Sequence, residues 1–333
     1  MTVRFGLLGA GRIGKVHAKA ITGDANAQLV AVADAFPAAA DAIAKQYGCE
    51  IRTIDAILAS ADIDAVVICT PTDTHADLIE AFAKAGKAIF CEKPIDLSLA
   101  RVKACLQVVR DTKAVLMVGF NRRFDPHFRA VRAEIDKGTI GDVEMVTITS
   151  RDPGAPPVDY IARSGGIFRD MTIHDFDMAR FLLGEEITEV SAMAAVLVDP
   201  AIGKAGDFDS VQVMLKTASG KQAMISNSRR ATYGYDQRIE VHGALGAVSA
   251  ENQRPVSIEV ASAAGYTRPP LHDFFMTRYT EAYAAEIATF IAALGGKGKA
   301  APTGEDGLIA LGLADAAVKS VAEKRVVLMS EIL

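Results

Sequence analysis

The chain has no excess of positive charge. Thirty-six Lys+Arg stand against 41 Asp+Glu, a formal net charge of -5 at pH 7, and no basic run of the kind that follows a phosphate backbone or an anionic lipid surface occurs along it. Neither nucleic acid nor a membrane is expected as a partner. Cysteine is scarce: Cys49, Cys69, Cys91 and Cys105 form no C-x-x-C pair and have no histidine at ligand spacing, so no zinc site, and no metal, is expected. Three of the four lie in apolar segments, where a free thiol packs as a small hydrophobe, as suits a reducing cytoplasm. No apolar stretch approaches the ~18 residues that span a bilayer. The apolar start MTVRFGLLGA runs straight into a glycine turn and a charged helix, unlike a secretion signal, and the expected location is cytoplasmic. Low complexity is absent too, with Gly 27 and Pro 12 dispersed among residues that are 50% hydrophobic and 23% charged. That profile excludes a disordered or collagen-like chain, and 333 residues amount to about two ordinary domains.

What is present is alternation. Up to residue 120, apolar runs at 3–8, 29–33, 65–69, 88–91 and 115–118 read as buried strands, and amphipathic stretches near 12–22, 37–47, 74–85 and 98–110 read as helices, the last capped by Ser98. Strand, helix, strand, repeated, implies a doubly wound parallel sheet with helices on both faces. After Gly119 the texture changes. Helices are expected at 125–136 and 170–183, a strand at 143–149, a proline-rich loop at 152–157, strands at 188–198, 210–217, 222–227, 237–242 and 256–260, and two closing helices at 278–294 and 304–323. Short turns between neighbours, such as Ser219-Gly220, make that sheet largely antiparallel. The expected division is 1–120, an α/β dinucleotide-type domain, and 121–333, an α+β domain on an open sheet.

Gly9-Ala10-Gly11-Arg12-Ile13-Gly14 follows the first strand and opens the first helix. Alone the pattern is weak, since a glycine content of 27 in 333 gives about 0.2 chance occurrences in such a chain. Its context is specific: Gly9 permits the tight turn, Gly11 a close approach of backbone to a pyrophosphate, Gly14 helix–strand contact. Twenty residues after Gly14 stands Asp34, placed to accept both ribose hydroxyls of adenosine and to repel a 2′-phosphate. Ala35-Phe36-Pro37 adds no arginine to hold one, so NAD is the expected cofactor. Thr70, Pro71, Thr72 and His75 are candidates for the nicotinamide side, with a structural role for His75 as the alternative. Glu92 and Lys93 directly follow another strand of the same sheet, at the edge where ligands of parallel sheets bind.

In the second half, Asp170 and His174 are four apart on one expected helix face after Gly165-Gly166, with Asp177 three further on. An acid–base pair, two metal ligands and an ordinary helix-surface pair are all compatible with that spacing. Asn121 and Arg123 either hold a polyol or join the domains.

GAGRIG, CEKP at 91–94, GFNRRFD at 119–125 and GGIFRDMTIHDFDMARFLLG at 165–184 together resemble the glucose–fructose oxidoreductase and inositol dehydrogenase family over essentially the whole chain. SRDPGAPPVDY and the SRRATYGYDQRIEVHG segment at 228–243 are most similar to its bacterial inositol 2-dehydrogenases. The resemblance implies a Rossmann domain followed by an open-sheet domain that forms homo-oligomers, dimers or tetramers. It implies a catalytic group of Lys93, Asp170 and His174, and NAD-dependent oxidation of a small cyclic polyol, foremost myo-inositol to scyllo-inosose. Alcohol oxidation needs a proton acceptor and a positive group for the developing alkoxide. His174 is read as base, Asp170 as its orienter and Lys93 as the alkoxide partner, with a neutral Lys93 as base left open. Asn121, Arg123, Arg151, Asp152, Tyr233 and Tyr235 are the expected polyol contacts. The rival readings are another sugar or dihydrodiol dehydrogenase on this scaffold and a non-catalytic NAD-sensing protein.

Overall fold

The apolar runs of the first part become six parallel strands: β1 (Val3–Leu8), β2 (Ala27–Ala33), β3 (Glu50–Ile51), β4 (Ala65–Ile68), β5 (Ala88–Glu92) and β6 (Leu116–Gly119). The structure, a computed structural model, describes residues 2–333. The strand order is β3-β2-β1-β4-β5-β6. It reverses between β1 and β4, and the crevice beyond their carboxyl ends is the switch point at which such sheets bind ligands. Every residue of β4 is buried, as its uninterrupted AVVI requires of a strand covered on both faces. The crossovers are α1 (Arg12–Gly23), α2 (Pro37–Tyr47), α3 (Ile54–Ala59), α4 (His75–Lys84) and α5 (Leu99–Thr112). Ser98 caps α5 as expected, its Oγ accepting from Arg101 N at 3.4 Å. The two-residue β3 and six-residue α3 are too short for periodicity to reveal.

The later elements are α6 (Pro126–Asp136), β7 (Val143–Arg151), α7 (Val158–Ser164), α8 (Ile173–Leu183), β8 (Ile187–Ala195), α9 (Pro200–Lys204), β9 (Ser210–Thr217), β10 (Gln222–Ser228), β11 (Asp236–Gly243) and β12 (Gly246–Ala250). A short hairpin of β13 (Val260–Ser262) and β14 (Gly265–Thr267) follows, then α10 (Phe275–Arg278), α11 (Thr280–Leu294), α12 (Gly304–Glu323) and β15 (Val327–Leu328). Seven strands form one sheet in the order β12-β11-β7-β10-β9-β8-β15. All neighbours are antiparallel except β7 and β10, so the sheet is mixed but largely antiparallel. In β9, Val211, Val213 and Leu215 point into the core while Gln212, Met214 and Lys216 face out, the alternation of a sheet covered on one side. Helix α8 lies on the covered side, against β7 and β10.

Two expectations are corrected. The strand expected at 256–260 is absent: Val256 and Ile258 are exposed, and only Val260 enters the small hairpin. A single boundary at 120 also does not describe the chain. One compact unit runs to Phe124 and takes back Thr280–Leu311, and the other comprises Asp125–Tyr279 with Gly312–Leu333. The reason is apolar burial. On α11, Phe290 stands 6.3 Å from Phe5 and 5.9 Å from Phe90, ring centre to ring centre, and Val118 N donates to the Pro302 carbonyl at 2.9 Å. Among the described residues, no helix is long and apolar enough to cross a membrane.

Candidate active site

The dinucleotide loop leaves β1 where β1 and β4 run side by side. Gly9 has φ +96, and a Cβ on it would stand 2.5 Å from the Cys69 carbonyl oxygen. A Cβ on Gly14 would fall on the Gly9 carbonyl oxygen. These two glycines are demanded by the protein's own packing. Gly11 is different, because a Cβ there would meet nothing within 4 Å. It is the N-cap of α1 and offers no side-chain cap, so the first-turn N–H groups point outward as an anion site. The acid at the end of β2 is drawn onto the same loop: Ala10 N donates to Asp34 Oδ2 at 2.5 Å and Phe36 N to Oδ1 at 2.7 Å. Arg12 is exposed and Ile13 half-buried beside it. This donor set fits NAD, with pyrophosphate at Gly11 and the α1 N-terminus and adenosine ribose at Asp34.

Beyond β4, Thr70 and Thr72 are half-buried and Pro71 exposed, with Thr70 Oγ1 2.6 Å from Thr74 Oγ1. His75 does not line the cofactor edge with a polar atom. It is buried, its Nδ1 2.8 Å from the Pro94 carbonyl oxygen and its Nε2 2.8 Å from that of Thr70, so it braces the loops after β4 and β5 against each other. Glu92 is buried likewise, and its Oε1 lies 2.6 Å from His17 Nε2. Lys93, the next residue, is half-buried at the edge. Asn121 is buried and Arg123 pairs with Asp306 at 3.0 Å, both within the first unit.

In the second unit, Gly165 and Gly166 have φ +82 and +85. A Cβ on Gly166 would stand 2.7 Å from Asp207 Oδ1, which accepts from Ile167 N at 2.9 Å. The expected helix begins as a π turn over Phe168–Thr172 and becomes α8 at Ile173, a widened turn of the sort found at functional sites. Asp170 Oδ1 accepts from Tyr160 Oη at 2.8 Å, and its Oδ2 is 3.5 Å from a buried guanidinium nitrogen of Arg229. Arg229 stands equally 3.5 Å from Asp207. Three contacts pin the start of α8 to β7 and β10. Ser150 Oγ donates to Asp175 Oδ1 at 2.6 Å, Asn227 Nδ2 to Asp175 Oδ2 at 2.9 Å, and Thr172 Oγ1 to Asn227 Oδ1 at 2.7 Å. From Met171 to Ala179 every residue is buried except His174, which is partly open. The fold thus presents one imidazole, one turn from a carboxylate that is held by a phenol and an arginine. Asp177 is buried and is not grouped with Asp170 and His174 at metal-ligand spacing.

Tyr233 donates to Asp236 Oδ2 at 2.6 Å and accepts from Arg151 at 3.0 Å. Burial, aided by the Asp236 carboxylate and opposed by Arg151, holds its phenol above the ordinary value. Burial would raise the Asp236 carboxyl, but hydrogen bonds from Arg238, Tyr233 and Asn252 outweigh it and keep it low. Asp152 is half-buried, its N–H on the Ser228 carbonyl at 2.9 Å. Tyr235 is buried, with Phe274 at 5.7 Å and Tyr279 at 6.0 Å. Sequence reasoning assigned no role to Tyr160, Asp207, Asn227 or Arg229. Arg229 and Asn227 sit in or beside a segment that drew notice, but nothing local says that they support Asp170 and α8.

Comparison with known proteins shows the family. Residues 3–120 match the model of an oxidoreductase family with an NAD-binding Rossmann fold, and residues 128–249 match the GFO/IDH/MocA C-terminal domain. An inositol 2-dehydrogenase of Rhizobium meliloti is 81% identical over 98% of this chain and 98% of its own. The crystal structure of a myo-inositol dehydrogenase from Corynebacterium glutamicum superposes with a TM-score of 0.94 at 44% identity, covering 98% of this chain and 99% of that one. A scyllo-inositol dehydrogenase from Lactobacillus casei, solved with NAD(H) and scyllo-inositol bound, gives 0.92 at 31% identity over 99% of this chain and 100% of that one.

Proposed function

Since the chain belongs to the GFO/IDH/MocA family of NAD-binding oxidoreductases, we propose that it oxidises one secondary hydroxyl of a cyclic polyol, foremost the axial hydroxyl of myo-inositol, to give scyllo-inosose. The observation that carries this reading is His174, the one partly open residue of a buried stretch, one turn from an Asp170 held by Tyr160 and Arg229. An imidazole there takes the hydroxyl proton, and the carboxylate orients it and stabilises the imidazolium that forms. Lys93 supplies the positive charge for the developing alkoxide. Gly9, Gly11, Arg12, Ile13, Gly14 and Asp34, with Thr70, Pro71 and Thr72 along the nicotinamide side, would hold NAD, which would supply the hydride acceptor. Asn121, Arg123, Arg151, Asp152 and Tyr233 are proposed to hold ring hydroxyls, since a buried hydroxyl left unpaired costs about 1–3 kcal/mol.

A panel of inositol isomers, pyranoses, open-chain polyols and dihydrodiols, each tried with NAD and NADP and followed by absorbance of the reduced nicotinamide, tests the reading. Turnover of myo-inositol with NAD is the expected result. No reduction with any inositol alongside turnover of an open-chain sugar alcohol or dihydrodiol would reject the substrate. The scyllo-inositol bound by the Lactobacillus casei relative supports a second reading, with that epimer preferred, and the same panel ranks the two.

The proposal extends to assembly and place. The uncovered face of the seven-stranded sheet carries Met145, Met193, Met214 and Met224, all exposed, and a second copy of the chain is the proposed cover, making a homo-oligomer. A cytoplasmic location accords with four cysteines that are all free thiols, of which burial holds those of Cys69 and Cys91 well above the ordinary value.

A further inference from the structure

Behind Lys93 lies a group that the reaction as described does not use. His17 comes from α1, Glu92 from the end of β5 and Glu286 from α11, and all three are buried. His17 Nε2 is 2.6 Å from Glu92 Oε1 and 4.0 Å from Glu286 Oε1. The rings of Phe90 and Tyr283 wall the imidazole at 5.1 and 5.6 Å. Gly119 leaves room for the Glu92 carboxyl: a Cβ there would stand 3.2 Å from its carbon and both oxygens. Both Glu286 oxygens and His17 Nδ1 lack a hydrogen-bond partner.

The atoms are of metal-ligating type, but the spacing favours a proton. Two ligands of one ion, each at about 2.0–2.2 Å from it, stand roughly 3 Å or more apart, and the His17–Glu92 separation is that of a shared hydrogen. Burial, reinforced by the Glu92 charge, pushes the Glu286 carboxyl well above the usual range. Burial likewise holds the Cys69 thiol well above its ordinary value.

We infer that His17, Glu92 and Glu286 form a positioning post for Lys93: they tie the helix that opens at the dinucleotide loop to the strand whose next residue is Lys93, and so fix the lysine relative to the cofactor. The inference rests on the proposed role of Lys93. Its distinguishing consequence is that the post acts through that lysine and through nothing else in the reaction.

The test measures kcat, polyol KM, NADH dissociation constant and melting temperature for Glu92→Gln and His17→Asn, each alone and combined with Lys93→Ala. Losing a charge-assisted hydrogen bond should lower kcat by about 10-fold or more in the wild-type background, with KM and NADH binding within roughly 3-fold, and should cost nothing further once Lys93 is alanine. Glu286→Gln, which keeps a polar head of the same size, should retain most of the turnover that Glu286→Ala loses. Equal losses with and without Lys93 would overturn the post alone, as would losses lying wholly in KM or NADH binding. So would a stoichiometric metal ion found at the group by elemental analysis. Wild-type turnover in Lys93→Ala by itself would reject the lysine's assignment and the post with it. If Glu92→Gln does not fold, His17→Asn reads the same contact from the other side.

Discussion

Asp34 uses both carboxylate oxygens on the backbone N–H groups of Ala10 and Phe36, so it is already aimed when adenosine arrives. A 2′-phosphate beside it adds charge repulsion with no arginine nearby in sequence to offset it. Asp34→Ala is expected to weaken NAD and erode its preference over NADP without abolishing turnover; comparison of kcat/KM for the two cofactors checks this. At the other end of the chemistry, His174→Ala or Lys93→Ala should lower kcat by at least ~100-fold, the low end for a proton-transfer group, while NADH still binds by fluorescence titration. Asp170→Asn should fall between them and the wild type, because Tyr160 and Arg229 still orient the side chain. A His174→Ala enzyme with ordinary turnover across pH would move the base to Lys93. These residues were legible because each sits in a contiguous motif. Glu92 and His75 belong to the same motifs yet face inward, a distinction of side-chain direction that spacing does not carry.

At the scale of elements, the dinucleotide turn holds two glycines that the protein's own packing demands and one, Gly11, that is proposed to serve the ligand. Gly14→Ala drives a methyl group into the Gly9 carbonyl, an overpacking of about 1–3 kcal/mol or more, so its melting temperature should drop. Gly11→Ala meets nothing in the protein and should melt like the wild type while NADH affinity falls by about 10-fold or more, the scale of a lost charge-assisted contact. Equal melting and equal affinity in both variants would refute the division. Long periodic elements were legible for the same reason that they are stable, because each buries one face along its whole length. The Val158–Ser164 helix, the five-residue Pro200–Lys204 helix and the π turn at Phe168–Thr172 were not. They are held by contacts such as Tyr160 to Asp170 and Asp207 to Ile167, which local pattern does not encode.

At the scale of the whole chain, Met214 and Met224 are register partners on neighbouring strands and lie on the uncovered face of the sheet. Replacing both with lysine places like charges in an apolar contact, and light scattering after size exclusion should then report a smaller particle than the wild type. A wild-type chain that is already monomeric, or a doubly substituted chain of unchanged mass, would refute the oligomer face. The residues by themselves determined two layered sheets and NAD as cofactor, and they proposed the acid at Asp34 and the pair Asp170 and His174, because these follow from period, glycine spacing and charge type within a few turns of chain. Only the tertiary structure decided that α11 returns to the first sheet and brings Glu286 to His17 and Glu92, and that Arg229 stands beside Asp170. Those meetings depend on which apolar faces find one another in the folded core, and burial of Phe290 against Phe5 and Phe90 is a property of the chain's path, not of any local run of residues.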